Sequence, residues 1–180
     1  APADDIGYVE GHYTNGPVWT EILAQKLGLG TTDEHKLTKS TNYAFAGATT
    51  GGVTNSLALS GVADPGYGLV SQVDKYIQNN SGPLDPNGLY VVSAGNHDFD
   101  KIMIDEHRIH YDAGTTLDVN DLKLKYSDAV GVAATNIIAQ LTKLITAGAK
   151  NFLVSGAGMY QYDPTMESTD KRVARGLANI

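Results

Sequence analysis

The chain has 180 residues, enough for one domain with a substantial buried core. Hydrophobic residues make up 42% and charged residues 18%, which excludes a disordered chain, and the net charge of −7 argues against a nucleic-acid footprint built on clustered Lys and Arg. Cysteine is absent, which excludes disulfides and thiolate chemistry, and no uninterrupted apolar run approaches the ~18 residues of a membrane span.

Ala1-Pro2-Ala3-Asp4 carries no initiator Met and no visible signal peptide, so processing or trimming is expected to have produced this terminus. The 20 Gly, many Asn, Ser and Thr and few Lys lean toward a secreted or extracytoplasmic protein. Pro17 to Leu27 is expected to be an amphipathic helix, with Pro near its start, Gly28 near its end and Val18, Ile22 and Leu23 at helical spacing. Asn42 to Ala46 reads as a short strand, followed by a small-residue turn from Gly47 to Gly52. Leu69 to Gln78 reads as a helix stopped by Asn79, Asn80 and Gly82; Asn79-Asn80-Ser81 is also a glycosylation acceptor tripeptide, a pattern that often arises by chance.

Leu89 to Ala94 is expected to be a buried strand, and residues 98 to 128 an irregular or partly helical charged stretch. The strongest helix signal runs from 127 to 147, with Val130, Ala134, Ile137, Ile138, Leu141 and Ile145 on one face. Gly148 ends it, and Asn151 to Ser155 follows as the next strand after a short connection, as in doubly wound sheets. The alternation of helix and strand makes this an α/β domain, with no internal repeat or evident domain boundary within residues 1–180.

Three segments carry chemistry. Thr14-Asn15-Gly16-Pro17-Val18-Trp19 opens the first helix, Asn42-Tyr43-Ala44 leads through Phe45 and Ala46 to Gly47-Ala48, and Gly95-Asn96-His97-Asp98 follows the apolar strand at 89–94. Polar groups at the carboxyl end of such a strand lie where open α/β sheets bind ligands. In order and spacing these segments resemble the SGNH (GDSL) family of esterases and lipases, over roughly residues 11 to 156. The resemblance implies a three-layer α/β/α fold with a mainly parallel sheet, and hydrolysis of carboxylic esters without a cofactor. It implies that Gly47 offers its backbone N–H to the developing oxyanion, where close backbone approach leaves no room for a side chain.

The third segment departs from the family's Gly-x-Asn-Asp, whose Asn amide donates the second oxyanion bond. Aligned on Gly95 and Asp98, this chain has His97 at the amide position and Asn96 at the free one. An imidazole N–H still donates, so His97 takes the catalytic assignment beside Gly47, and Asn96 is assigned to substrate binding. A one-residue slip would give Asn96 the amide role at the cost of misplacing Gly95 and Asp98. The family's Gly-Asp-Ser-Leu block, with its nucleophile, and its Asp-x-x-His block have no counterpart in residues 1 to 180. A Ser-His site needs both groups within hydrogen-bond reach. The expectation is therefore a domain incomplete at both ends, inactive alone and lacking its first strand, whose gene product is longer or whose sheet is completed by a second polypeptide segment. The expected partner is a small ester or lipid substrate, with no nucleic acid and no transmembrane segment. The alternative, from a different class, is a non-catalytic binding or interaction module on the same scaffold.

Other chemistry is weaker. Gly95-Asn96-His97-Asp98 also matches a tetrapeptide of calcineurin-like metallophosphatases; Asp33-Glu34-His35 has the spacing of that family's first motif but lies in a polar stretch, and its Gly-Asp-x-x-Asp is missing. His97, Asp98, Asp100, Asp105, His107, His110 and Asp112 are either a zinc-type donor set or a solvated charged excursion, and no metal motif is complete. Ser155-Gly156-Ala157-Gly158 lacks the nucleophile-elbow pattern and reads as a structural loop, Ser93 reads as a strand residue, and His12 and Tyr13 as a solvent-facing loop. Tyr160, with Tyr162, either lines an apolar acyl or aryl pocket or packs on the surface; Tyr160 is assigned to substrate binding on the first reading.

Overall fold

The computed structural model describes residues 15–28, 42–52, 66–99, 102 and 118–155. Its contacts divide the chain into two units, Ala1–Tyr43 and Ala44–Ile180. In the first, α1 (Trp19–Lys26) begins after Pro17, and the Glu21 carboxylate accepts from Val18 N–H at 2.7 Å, half of a capping box. Gly28, at φ +70°, donates to Gln25 C=O and ends the helix in the left-handed conformation that glycine adopts most readily.

Among its described residues the second unit is mixed helix and strand around a two-stranded parallel sheet, an α/β arrangement. Its elements are α2 (Leu69–Asn79), β1 (Leu89–Ser93), α3 (Val119–Thr146) and β2 (Asn151–Ser155). β1 and β2 pair in register from Leu89↔Asn151 to Ser93↔Ser155. A parallel pair needs a crossover, and α3 supplies it. Side chains alternate across the sheet: Tyr90, Val92 and Phe152 join the core, with Leu69, Val73, Tyr76 and Ile77 of α2 and Ile137, Leu141 and Leu144 of α3. On the opposite face Leu89, Val91 and Leu153 are 38–46% exposed.

The helix ends are closed by identifiable groups. At the start of α2, the N–H groups of Gly68, Leu69 and Val70 donate to the carbonyls of Gly52, Thr49 and Gly51. Asn80, where the sequence signals a stop, turns its amide onto Tyr76 C=O at 2.7 Å. α3 is N-capped by Asp118, whose carboxylate accepts from Asn120 N–H, and ends in a Schellman motif: Ala149 N–H donates to Leu144 C=O and Gly148 N–H to Ile145 C=O. The Lys143–Asp74 ion pair between α3 and α2 is exposed and contributes about 0–1 kcal/mol.

Three expectations are corrected. Residues 42–45 form no strand among the described residues; they lead into a tight turn at 46–47. α3 starts at Val119 rather than near 127, so residues 119–128 supply the helical part of the stretch expected to be irregular or partly helical, supported by an i,i+4 Lys125–Asp121 pair. The buried stripe of α3 is also rotated from the expected one. Tyr126, Ala133, Gln140 and Leu144 are buried, whereas Val130, Ile138 and Ile145 are 50–64% exposed. A helix apolar on more than one side does not encode which side is covered. Leu124–Thr146 is long and apolar enough, by length and composition, to cross a membrane, although a core helix satisfies the same criterion. Here it packs on α2 and the sheet through Ile137, Leu141 and Leu144.

Gln140 Oε1 is buried and accepts no hydrogen bond among the described residues. An unsatisfied buried acceptor costs ~1–3 kcal/mol, so Gln140→Leu, similar in volume, is expected to raise unfolding stability by about 1 kcal/mol. A lower urea midpoint for the variant would refute this account of the position.

Candidate oxyanion site at the strand end

The site begins with a turn. Ala48 N–H donates to Phe45 C=O at 3.3 Å, closing four residues with Gly47 third, at φ +79°. The third position of a type II turn requires that sign of φ, which explains glycine there. Gly47 is buried, and its N–H donates to no acceptor among the described residues. Phe45 stacks on Tyr67 with ring centroids 4.0 Å apart, which ties the turn to the segment that opens α2. The carbonyls that follow, from Thr49 to Gly52, are the ones that cap α2.

β1 ends at Ser93, and buried Gly95, at φ +119°, lets the chain reverse into a helical turn over 96–99. Within that turn Asn96 is exposed, His97 and Asp98 are half-buried and Phe99 is buried. Phe99 stacks on Tyr126 of α3, with centroids 5.7 Å apart and planes 9° from parallel.

One carboxylate joins the two turns. Asp98 Oδ2 accepts from Thr50 N–H at 2.9 Å, and Asp98 Oδ1 accepts from the Thr50 hydroxyl at 2.6 Å. Asn136 of α3 donates its amide to the same hydroxyl oxygen at 3.2 Å. Thr50 is fully buried, so its hydroxyl meets its partners away from water. Through this contact the segments that carry Gly47 and His97 meet, although Thr50 and Asp98 are 48 residues apart in sequence. Beside them Ser155 donates to Ser93 at 2.7 Å across the carboxyl ends of the paired strands, so both serines serve as strand residues.

In the sequence Asp98 stands out as an alignment anchor and as one member of the His/carboxylate cluster, whereas Thr50 and Asn136 belong to no motif. The signal for Asn136 is an amide within the apolar run of α3; for Thr50 it is a β-branched residue inside a small-residue turn. The Tyr160 and Tyr162 assignments, the Asp33–His35 match, His12 and Tyr13, and the Gly156–Gly158 loop lie outside the described residues, as do Asp100, Asp105, His107, His110 and Asp112. Among the described residues no group of three metal-ligating side chains occurs. No family model matches the chain, and no curated protein matches it.

Proposed function

We propose that this chain contributes the oxyanion-stabilising half of a carboxylic-ester hydrolase of SGNH type, with the serine nucleophile and its histidine supplied outside residues 1–180. The observation that carries the reading is the joining of the Gly47 turn to the 95–98 turn through the Asp98–Thr50 contacts of 2.6 and 2.9 Å. Both turns sit at the carboxyl-end side of β1, where α/β sheets bind their ligands. Gly47 brings a buried N–H on a backbone with positive φ, and His97 brings an imidazole that donates from the neighbouring turn. Donors held in place before reaction stabilise a tetrahedral intermediate because they need no reorganisation as charge develops. The reading includes further chain, folded against the open face of the sheet where Leu89, Val91 and Leu153 are exposed. Parallel sheets are ordinarily covered on both faces, which favours such a layer and the three-layer architecture.

Labelling the protein as isolated from its source with a fluorophosphonate probe, followed by intact mass and peptide mapping, tests the proposal. An adduct on a serine outside residues 1–180 is the expected result. No adduct on a folded protein whose mass equals these 180 residues would overturn it in favour of a non-catalytic binding module.

A further inference from the structure

We infer that Thr50, Asp98 and Asn136 act together as a positioning clasp, which sets the Gly47 turn against the His97 turn so that both donors serve one oxyanion. The inference rests on the esterase reading above and assigns roles to three residues that the reading does not use. Thr50 follows Gly47 by three residues, and Asp98 is the immediate neighbour of His97. Both oxygens of the Asp98 carboxylate are engaged by a single residue, one by its N–H and one by its hydroxyl. Two-point contact of this kind suppresses the rotation that a single hydrogen bond permits, and hydrogen bonds to a carboxylate are shorter and stronger than neutral ones. Asn136 then ties the hydroxyl to α3 at 3.2 Å, and the Phe99–Tyr126 stack holds the other turn to the same helix. A loop, a strand-end turn and a long helix are thereby registered at one fully buried hydroxyl group.

The clasp matters because oxyanion donors act over a narrow range, ~2.7–3.1 Å from the oxyanion, and a displacement of about 1 Å can cost ~10²-fold in rate. Asp98 and Thr50 are positioning residues here: they act through Gly47 and His97 and need not touch substrate.

The test is steady-state hydrolysis of p-nitrophenyl butyrate by the full-length protein and its variants, with thermal unfolding measured alongside. Thr50→Val keeps the shape and removes the hydroxyl; Asp98→Asn keeps the shape and removes the charge. Each is expected to lower kcat by ~10–100-fold while KM stays within about threefold, and Thr50→Ser, which preserves the contacts, is expected to stay within about threefold of the parent. A merely structural role would lower the melting temperature without this split between kcat and KM and without rescue by serine. Should Thr50→Val and Asp98→Asn unfold, Asn136→Ala, which removes the 3.2 Å contact to Thr50, is expected to lower kcat about fivefold at unchanged KM. Folded variants with parental kcat would overturn the clasp and leave the esterase reading standing. A parent protein that neither hydrolyses the ester nor takes the fluorophosphonate would overturn both, and its silence separates that case from the first.

Discussion

Gly148→Ala is expected to destabilise the domain by about 3 kcal/mol or more, the combined effect of backbone strain at positive φ and a steric clash. Gly148 sits at φ +119°, and a Cβ there would lie 2.9 Å from Leu84 O and 3.2 Å from Leu84 N. Those are main-chain atoms that cannot swing aside, and Leu84 N–H is held to Ala147 C=O at 2.7 Å. Leu84 is 3% exposed and Ala149 is 2% exposed, so both flanks of the contact belong to the core. The added methyl must either break the Schellman turn that ends α3 or push Leu84 out of that core. Urea unfolding is the appropriate measurement, with a midpoint fall of ~1–3 M for a slope of about 1–3 kcal/mol/M. The internal control is Gly131→Ala within α3, where nothing lies within 4 Å of the added Cβ. That variant is expected to gain ~0.5–1 kcal/mol from helix propensity. Equal effects of the two changes would show that the clash at Leu84 is not what makes glycine necessary.

If the proposed esterase reading holds, His97→Ala is expected to lower kcat by ~10²–10³-fold in the full-length protein, the usual consequence of losing one oxyanion donor. On the proposed reading Gly47 would donate through its main chain, which deleting a side chain cannot probe, so His97 is the proposed donor that mutation can reach. His97→Asn puts an amide at the same place in the turn and is expected to retain activity within about tenfold of the parent, because either group supplies an N–H. Asn96 is exposed where His97 is half-buried, so Asn96→Ala is expected to act mainly on KM. A loss below tenfold for His97→Ala, together with a large kcat loss for Asn96→Ala, would transfer the donor role to Asn96. That outcome would mean that the slipped alignment is the right one.

The parts of the fold that were legible are those whose signals are local. Gly28 and Gly148 stop helices because the chain there needs positive φ, and Asn80 stops α2 with its own amide. The strand pairs Val91↔Leu153 and Val92↔Val154 come from short apolar runs bounded by turn residues. Less legible was the beginning of α3, because Asp118, Asp121 and Lys125 look like a charged excursion until Asp118 is recognised as an N-cap and the other two as an i,i+4 pair. Asn42 to Ala46 looked extended from composition, yet the demand for a tight turn at Gly47 prevailed.

Local residue patterns suffice to mark the segments able to form helix or strand, the glycines that end helices, and the residues that resemble an oxyanion pair. These are properties of neighbouring residues and of their φ preferences. Which stripe of α3 is buried emerges from packing alone, since Val130, Ile138 and Ile145 are as apolar as the residues that do face the core. Packing also joined Thr50 to Asp98 and to Asn136, across 48 and 86 residues. Hydrogen-bond complementarity between a hydroxyl, a carboxylate and an amide leaves no periodic trace along a chain. It exists only once the sheet, the helix and the turn have been packed to bring those groups together.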